Sequence, residues 1–196
     1  YQSAQKPLPA FKGYLLLLQV YIYNNQLNKL DSLLKKIEII ENQIKVEEFL
    51  VRYNILKYLI KSFKNETTLD GALDLVQTLS NLEESNDDGI SYWNLSIIFS
   101  LLKDVENSEK FLLKSKKNLR DISEKNSDKK HWDKILYTNP FNKQIMDQKI
   151  DGIKNYVDSL MLKPYAENVS KFCSECGCKN IDLKNFCSEC GYNLKL

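Results

Sequence analysis

The stretch YWNLSIIFSLLKDVENSEKFLLKS, residues 92–115, decides how most of this chain folds. Apolar side chains recur every three or four residues from Tyr92 to Phe99, and a second such pattern begins nine residues later at the small Ser108. That spacing places the apolar side chains on one face of a helix. The polar joint Lys103–Asn107 is short, and short joints connect antiparallel neighbours. We therefore predict a helical hairpin in which Ser108 lets the second helix approach the first closely.

The same arrangement occurs twice more, upstream of this stretch. Leu56–Phe63 is followed by Ala72–Leu79 with nearly the same spacing, and a fainter version runs through Leu16–Tyr23 and Ser32–Ile39. Successive units begin 40 and then 36 residues apart. A pattern that recurs at such a period is typical of stacked helical repeats.

Residues 11–122 resemble the tetratricopeptide repeat, although Ile60 and Ser96 stand where that family usually has Gly, and no unit ends in Pro. The resemblance implies a stack of helical hairpins with a peptide-binding groove lined by the first helix of each unit. A plain helical bundle is the alternative, because a stripe at helical spacing is also what any core helix shows.

The pattern changes after Ile122. A polar stretch, residues 123–130, precedes a predicted short helix at His131–Tyr137, which the dipeptide Asn139-Pro140 should end. A single long helix is then predicted from Phe141 to Leu162, where it would cap the exposed apolar face of the last repeat.

All five cysteines lie near the carboxyl end, in the stretch FCSECGCKNIDLKNFCSECG, residues 172–191. This stretch repeats itself at a shift of 14 residues, and in that alignment Cys178 corresponds to Tyr192, which cannot bind zinc. Two C-x-x-C-G knuckles supply four thiolates, the ligand set of a tetrahedral zinc site. The predicted metal ligands are Cys173, Cys176, Cys187 and Cys190.

The tail from Lys171 to Leu194 is similar to the short zinc-ribbon family, whose four ligand positions and two glycines it matches. Iron bound as in rubredoxin is the rival, but that family has a longer insert between its knuckles. Four thiolates fill the metal shell, so one structural Zn²⁺ is predicted rather than a catalytic ion. So short a segment with few apolar residues needs a metal to fold.

Composition is that of a globular protein, with 43% hydrophobic and 28% charged residues. A mainly α fold is predicted, with a hairpin repeat stack and a small carboxyl-terminal zinc ribbon. The cysteine cluster indicates a reducing compartment, and hence the cytoplasm. We predict an amino-terminal extension at residues 1–10, a helical repeat domain with a capping helix at 11–163, a linker at 164–170 and the ribbon at 171–196.

The resemblance to tetratricopeptide repeats also implies where a partner would bind. Lys57, Lys61 and Lys64 share one face of the second unit, flanked by Asn54 and Asn65. This set is similar to the carboxylate clamp of chaperone-binding members. The corresponding positions of the third unit are apolar: Ile90, Trp93 and Ile97. The predicted partner is a protein segment, acidic or extended, with an apolar anchor near Trp93; the alternative is a solvated lysine face beside a core tryptophan.

The predicted function is a non-enzymatic scaffold or adaptor, because the chain has one His and lacks a recognisable catalytic motif. One alternative is a regulatory adaptor of a membrane-associated assembly, since the lipopolysaccharide assembly protein B family joins similar repeats to a four-cysteine knuckle pair. Any membrane contact would then come from a part amino-terminal to Tyr1. The other alternative is a nucleic-acid-binding ribbon, which the net charge of +2 and a slightly negative tail disfavour.

Overall fold

The computed structural model of the chain is mainly α-helical, as predicted. It describes residues 7–24, 26–82, 89–126, 136–149, 152–162, 171–172 and 179–180. The chain divides into two compact units, Tyr1–Leu162 and Lys163–Leu196. The four predicted metal ligands, Cys173, Cys176, Cys187 and Cys190, lie outside the described residues.

The helices of the first unit follow the predicted order. They are α1 (Pro7–Tyr23), α2 (Leu30–Glu41, after a 3₁₀ turn at Leu27–Lys29), α3 (Glu47–Phe63), α4 (Leu69–Ser80), α5 (Gly89–Leu101), α6 (Val105–Asn126), α7 (Pro140–Asp147) and α8 (Ile153–Leu162). Residues 136–138 are also helical and lie at the end of the predicted helix His131–Tyr137, whose first five residues are outside the described residues.

Helices α1 and α2, α3 and α4, and α5 and α6 pack as consecutive pairs, and α3 contacts both α1 and α5. The first helix of each pair ends with the same backbone hydrogen bond, from the amide of one residue to the carbonyl five residues earlier. These bonds are Gln26 to Tyr21, Glu66 to Lys61 and Asp104 to Phe99. Asn65 and Lys103 adopt the left-handed conformation that closes such a helix end. The three pairs are thus built on one local plan.

Helix α5 forms the centre of the core, with nine of its 13 residues buried. Small side chains allow α6 to lie close against it, as the sequence predicts. Ser108 Oγ donates to the carbonyl of Ser96 at 2.8 Å, and Ser115 Oγ donates to that of Gly89 at 2.5 Å. Ala72 has the corresponding place in α4 and is fully buried.

The predicted single helix Phe141–Leu162 is wrong, because the chain forms α7 and α8 with a break between them. Gln148 leaves the helix with an extended backbone, ψ 123°. Lys116 of α6 donates to the carbonyl of Met146 at 3.0 Å and to that of Gln148. A cation from another helix therefore satisfies carbonyl groups that a continuous helix would have bonded internally.

The second unit contains two short antiparallel strands among its described residues, β1 (Lys171–Phe172) and β2 (Lys179–Asn180). Lys171 pairs with Asn180, and Phe172 pairs with Lys179. The pairing brings together the two ends of the segment 173–178, which contains the first C-x-x-C-G sequence.

Candidate functional site: a groove between the first helices

A pocket of about 220 Å³ lies between α1, α3 and α5, the first helices of the three pairs. Most of its wall is apolar. Its lining residues are Lys12, Leu15, Leu16, Gln19, Phe49, Arg52, Leu56, Ile90, Ser91 and Asn94.

Equivalent positions of the three helices line this pocket. Lys12, Arg52 and Ile90 each lie eleven residues before the last residue of their helix. One turn further along, seven residues before the helix end, lie Leu16, Leu56 and Asn94. The pocket is therefore formed by the arrangement that the three pairs share.

A wider depression of about 660 Å³ adjoins the pocket and shares Leu16, Gln19 and Ile90 with it. Its other wall is the amino-terminal end of α7, Thr138 to Phe141. Asn139 fixes this end, because its side chain accepts a hydrogen bond from the amide of Phe141 at 2.9 Å. Leu16 lies at the lip between the two spaces and is 58% exposed. We call the pocket and this depression together the first-helix groove.

Both charged residues that line the pocket are cations, and both lie against the ring of Phe49. Lys12 Nζ is 4.4 Å from the ring centroid, and the Arg52 guanidinium carbon is 5.7 Å from it. Arg52 also pairs with Glu48 at 2.6 Å. Two cations and one carboxylate leave this end of the pocket net positive.

The pocket floor is held by a polar contact between α1 and α5. The Tyr23 hydroxyl donates to Asn94 Oδ1 at 2.6 Å in the buried interior. Burial raises the pKa of Tyr23 well above its usual value, and nearby Tyr156 raises it further, so the hydroxyl stays protonated and donating. This bond fixes the position of Asn94 in the groove.

The predicted partner-binding lysines lie outside the pocket. Lys57 Nζ lies over the ring of Tyr53 at 5.5 Å, and Lys64 Nζ is 4.0 Å from Asp31 of α2. Lys61 is exposed. The lysine face of α3 is therefore turned towards α2, on a different side of the helix from Arg52.

Trp93 does not line the groove either. It is 1% exposed, and its ring lies 5.3 Å from the ring of Tyr156 in α8. Of the other predicted positions of the third unit, Ile97 is fully buried and Ile90 lines the pocket.

The positions that sequence reasoning missed are Lys12 and Arg52. It aligned the second and third units at 36 residues, and the second helices α4 and α6 do start 36 residues apart. The first helices α3 and α5 end 38 residues apart, because the loop after α3 has five residues and the loop after α5 has three. The first helices are thus displaced by two residues in that alignment, which turns a different face to the groove.

Among the described residues there is no group of three or more His, Cys, Asp or Glu side chains that could hold a metal ion. In the same part of the chain, no helix is long and apolar enough to cross a lipid bilayer.

Comparisons of the chain with protein-family models, with curated proteins and with solved structures found no match.

Proposed function

We propose that this protein is a non-enzymatic interaction protein, which binds an extended segment of a partner protein in the first-helix groove. The hairpin pairs would then be a stack of the tetratricopeptide type. The observation that carries the proposal is the use of two equivalent positions on each of α1, α3 and α5 to line one pocket. A surface built from repeats in this way is the kind that stacked helical proteins use for binding.

The dimensions of the groove favour a polypeptide over a cofactor. Small-molecule sites usually enclose about 300–1,000 Å³, whereas this pocket has about 220 Å³. That volume suits one or two side chains of a partner. The adjoining depression along α7 is wide and open, so it can take the backbone on either side of the anchored residue.

The test is a selection of binding peptides on the full chain from a displayed library of random nonapeptides. Leu16→Asp places a charge at the groove lip, where the side chain is already 58% exposed, so the fold should be retained. We expect the selected peptides to lose binding to this variant. The matched control is Leu113→Asp on α6, where the leucine is 51% exposed. Peptides that bind the Leu16 variant as well as the native chain would refute the groove.

We further propose that the carboxyl-terminal unit holds one structural Zn²⁺ through Cys173, Cys176, Cys187 and Cys190. The pairing of Phe172 with Lys179 supports this, because a two-stranded hairpin around the first C-x-x-C-G sequence suits a zinc knuckle. Four thiolates would supply the folding free energy that so short a segment lacks.

Elemental analysis of the purified chain tests the zinc proposal. We expect one zinc per chain, retained in Cys178→Ser and lost or much weakened in Cys173→Ser. Absence of zinc from the native protein, or an equal loss in the two variants, would contradict the assignment. The adaptor of a membrane-associated assembly and the nucleic-acid-binding ribbon stay predictions.

A further inference from the structure

We infer that the partner segment carries a carboxylate two residues away from a large apolar side chain, and that Lys12 and Arg52 bind this carboxylate. The inference rests on the proposed function, since it names the chemistry of the segment that occupies the first-helix groove.

The charge of the pocket argues for an acidic group. Lys12 and Arg52 come from different helices and meet on one ring, that of Phe49, at the same end of the pocket. Glu48 offsets one of the two positive charges. The remaining charge is at the rim of an apolar space, where a ligand would displace water and strengthen the attraction. A carboxylate can accept from both an ammonium and a guanidinium group.

The apolar part of the pocket argues for a large side chain beside that acid. Leu16 and Leu56 lie one helical turn beyond the cations, and Ile90 faces the same space from α5. A neutral polar group would leave these side chains in contact with water or with an unsatisfied donor, whereas an aromatic or aliphatic side chain buries them.

The helix geometry fixes the spacing of the two groups. Lys12 and Leu16, like Arg52 and Leu56, are four residues apart, which is about 6 Å along a helix axis. In an extended segment two residues span about 6.6 Å, and side chains two apart point to the same side. The acidic and apolar residues of the partner should therefore be at positions i and i+2, in either order.

The experiment continues the nonapeptide selection on the full chain. We expect enriched peptides to carry Asp or Glu two residues from a large apolar residue. Replacing that acid by its amide should weaken binding about tenfold, as should Lys12→Glu in the protein. Lys57→Glu is the matched control, since it makes the same charge change on α3 outside the pocket, and it should change affinity by less than about twofold. The affinity should also fall as salt is raised.

The possible outcomes separate this inference from the proposed function. Peptides that need native Leu16 but carry no acid, or that bind Lys12→Glu unchanged, would overturn the carboxylate site and leave the groove in place. A different fixed spacing of acid and apolar residue would overturn the i, i+2 assignment. A selection that yields no peptide sensitive to Leu16→Asp would overturn the groove itself. The amide-substituted peptides test the inference on the native protein, so the result does not depend on the folding of a variant.

Discussion

At the scale of single residues, the junction of α3 with α4 is the most closely fitted part of the described fold. The Tyr58 hydroxyl donates to the carbonyl of Thr68 at 2.6 Å and accepts from the amide of Thr68 at 3.0 Å. Thr68 in turn caps α4, since its side chain accepts from the amide of Gly71 at 3.3 Å. Tyr58 is thus fixed at both ends of its side chain, directly beside Gly71.

Gly71→Ala tests how rigid this junction is. A Cβ atom at Gly71 would lie 2.5 Å from the Tyr58 hydroxyl and 3.1 Å from its ring. The clash should outweigh the gain in helix propensity and lower the free energy of unfolding by about 1–3 kcal/mol. Urea unfolding followed by circular dichroism measures the change.

The control is Gly13→Ala in α1, where an added Cβ meets no atom within 4 Å. It should be neutral or stabilising by up to about 1 kcal/mol. The same Gly71 substitution in a Tyr58→Phe background should cost less, because the hydroxyl has been removed. Equal effects at Gly13 and Gly71 would show that Tyr58 moves aside freely.

At the scale of elements, one lysine determines how the carboxyl-terminal helices are arranged. Lys116 reaches from α6 to the last carbonyls of α7, and the chain can then turn into α8. Ile145, Ile153 and Val157 are buried as a result, so both short helices contribute to the core. Burial, and then Arg120, lowers the pKa of Lys116, whereas Asp147 opposes that change.

Lys116→Met should keep the aliphatic stem and remove the donor. We expect the free energy of unfolding to fall by about 1–3 kcal/mol, because the two carbonyls lose a charged partner. Hydrogen exchange should quicken in α7 and α8 more than in α3. Lys117→Met, one residue along at an exposed position, should change neither measurement by much. Unchanged exchange in α7 after Lys116→Met would show that the helix break does not depend on this lysine.

At the scale of the whole molecule, buried tyrosines join the helices of the first unit to one another. Tyr53 of α3 meets Phe11 of α1 with ring centroids 5.7 Å apart, and Tyr23 meets Phe141 of α7 at 5.2 Å. Burial raises the pKa of Tyr156 to about 12. Burial also raises that of Tyr53 to about 12, with smaller effects from Glu41 and Glu38.

These raised values predict a loss of stability at high pH. In the unfolded chain the tyrosines ionise near pH 10, while in the folded chain they keep their protons to higher pH. Their contribution is thus complete below pH 10 and is lost as the pH rises towards 12, by up to about 1.4 kcal/mol per pH unit for a well-buried group. Lys116 acts in the opposite direction below its unfolded pKa, but it is one group against three.

Urea unfolding at pH 8, 9.5, 10.5 and 11.5 measures this dependence. Tyr156→Phe should flatten the fall above pH 10, and its effect at pH 8 gives the cost of the lost hydroxyl alone. A stability that is constant from pH 8 to 11.5 would contradict the proposed tyrosine burial.

Much of the helical unit could be predicted from the sequence, because its hairpins depend on local spacing. The stripe from Leu56 to Phe63, the loop Lys64–Thr68 and the small Ala72 are where the periodicity placed them. The candidate site could not be found in the same way. Lys12 and Arg52 are 40 residues apart, and no local pattern shows that both would reach the ring of Phe49.

The sequence by itself determined which segments are helical and which face of each helix is apolar, since a period of 3.6 residues is a property of neighbouring residues. It also determined that four of five cysteines have the spacing of a metal site. The tertiary structure alone decided that Trp93 is covered by Tyr156, that the last helix breaks after Asp147, and that the groove faces Arg52 and not Lys57. The physical reason is that these features depend on how separate helices meet, and two residues of loop length are enough to turn one helix face away and another towards its neighbour.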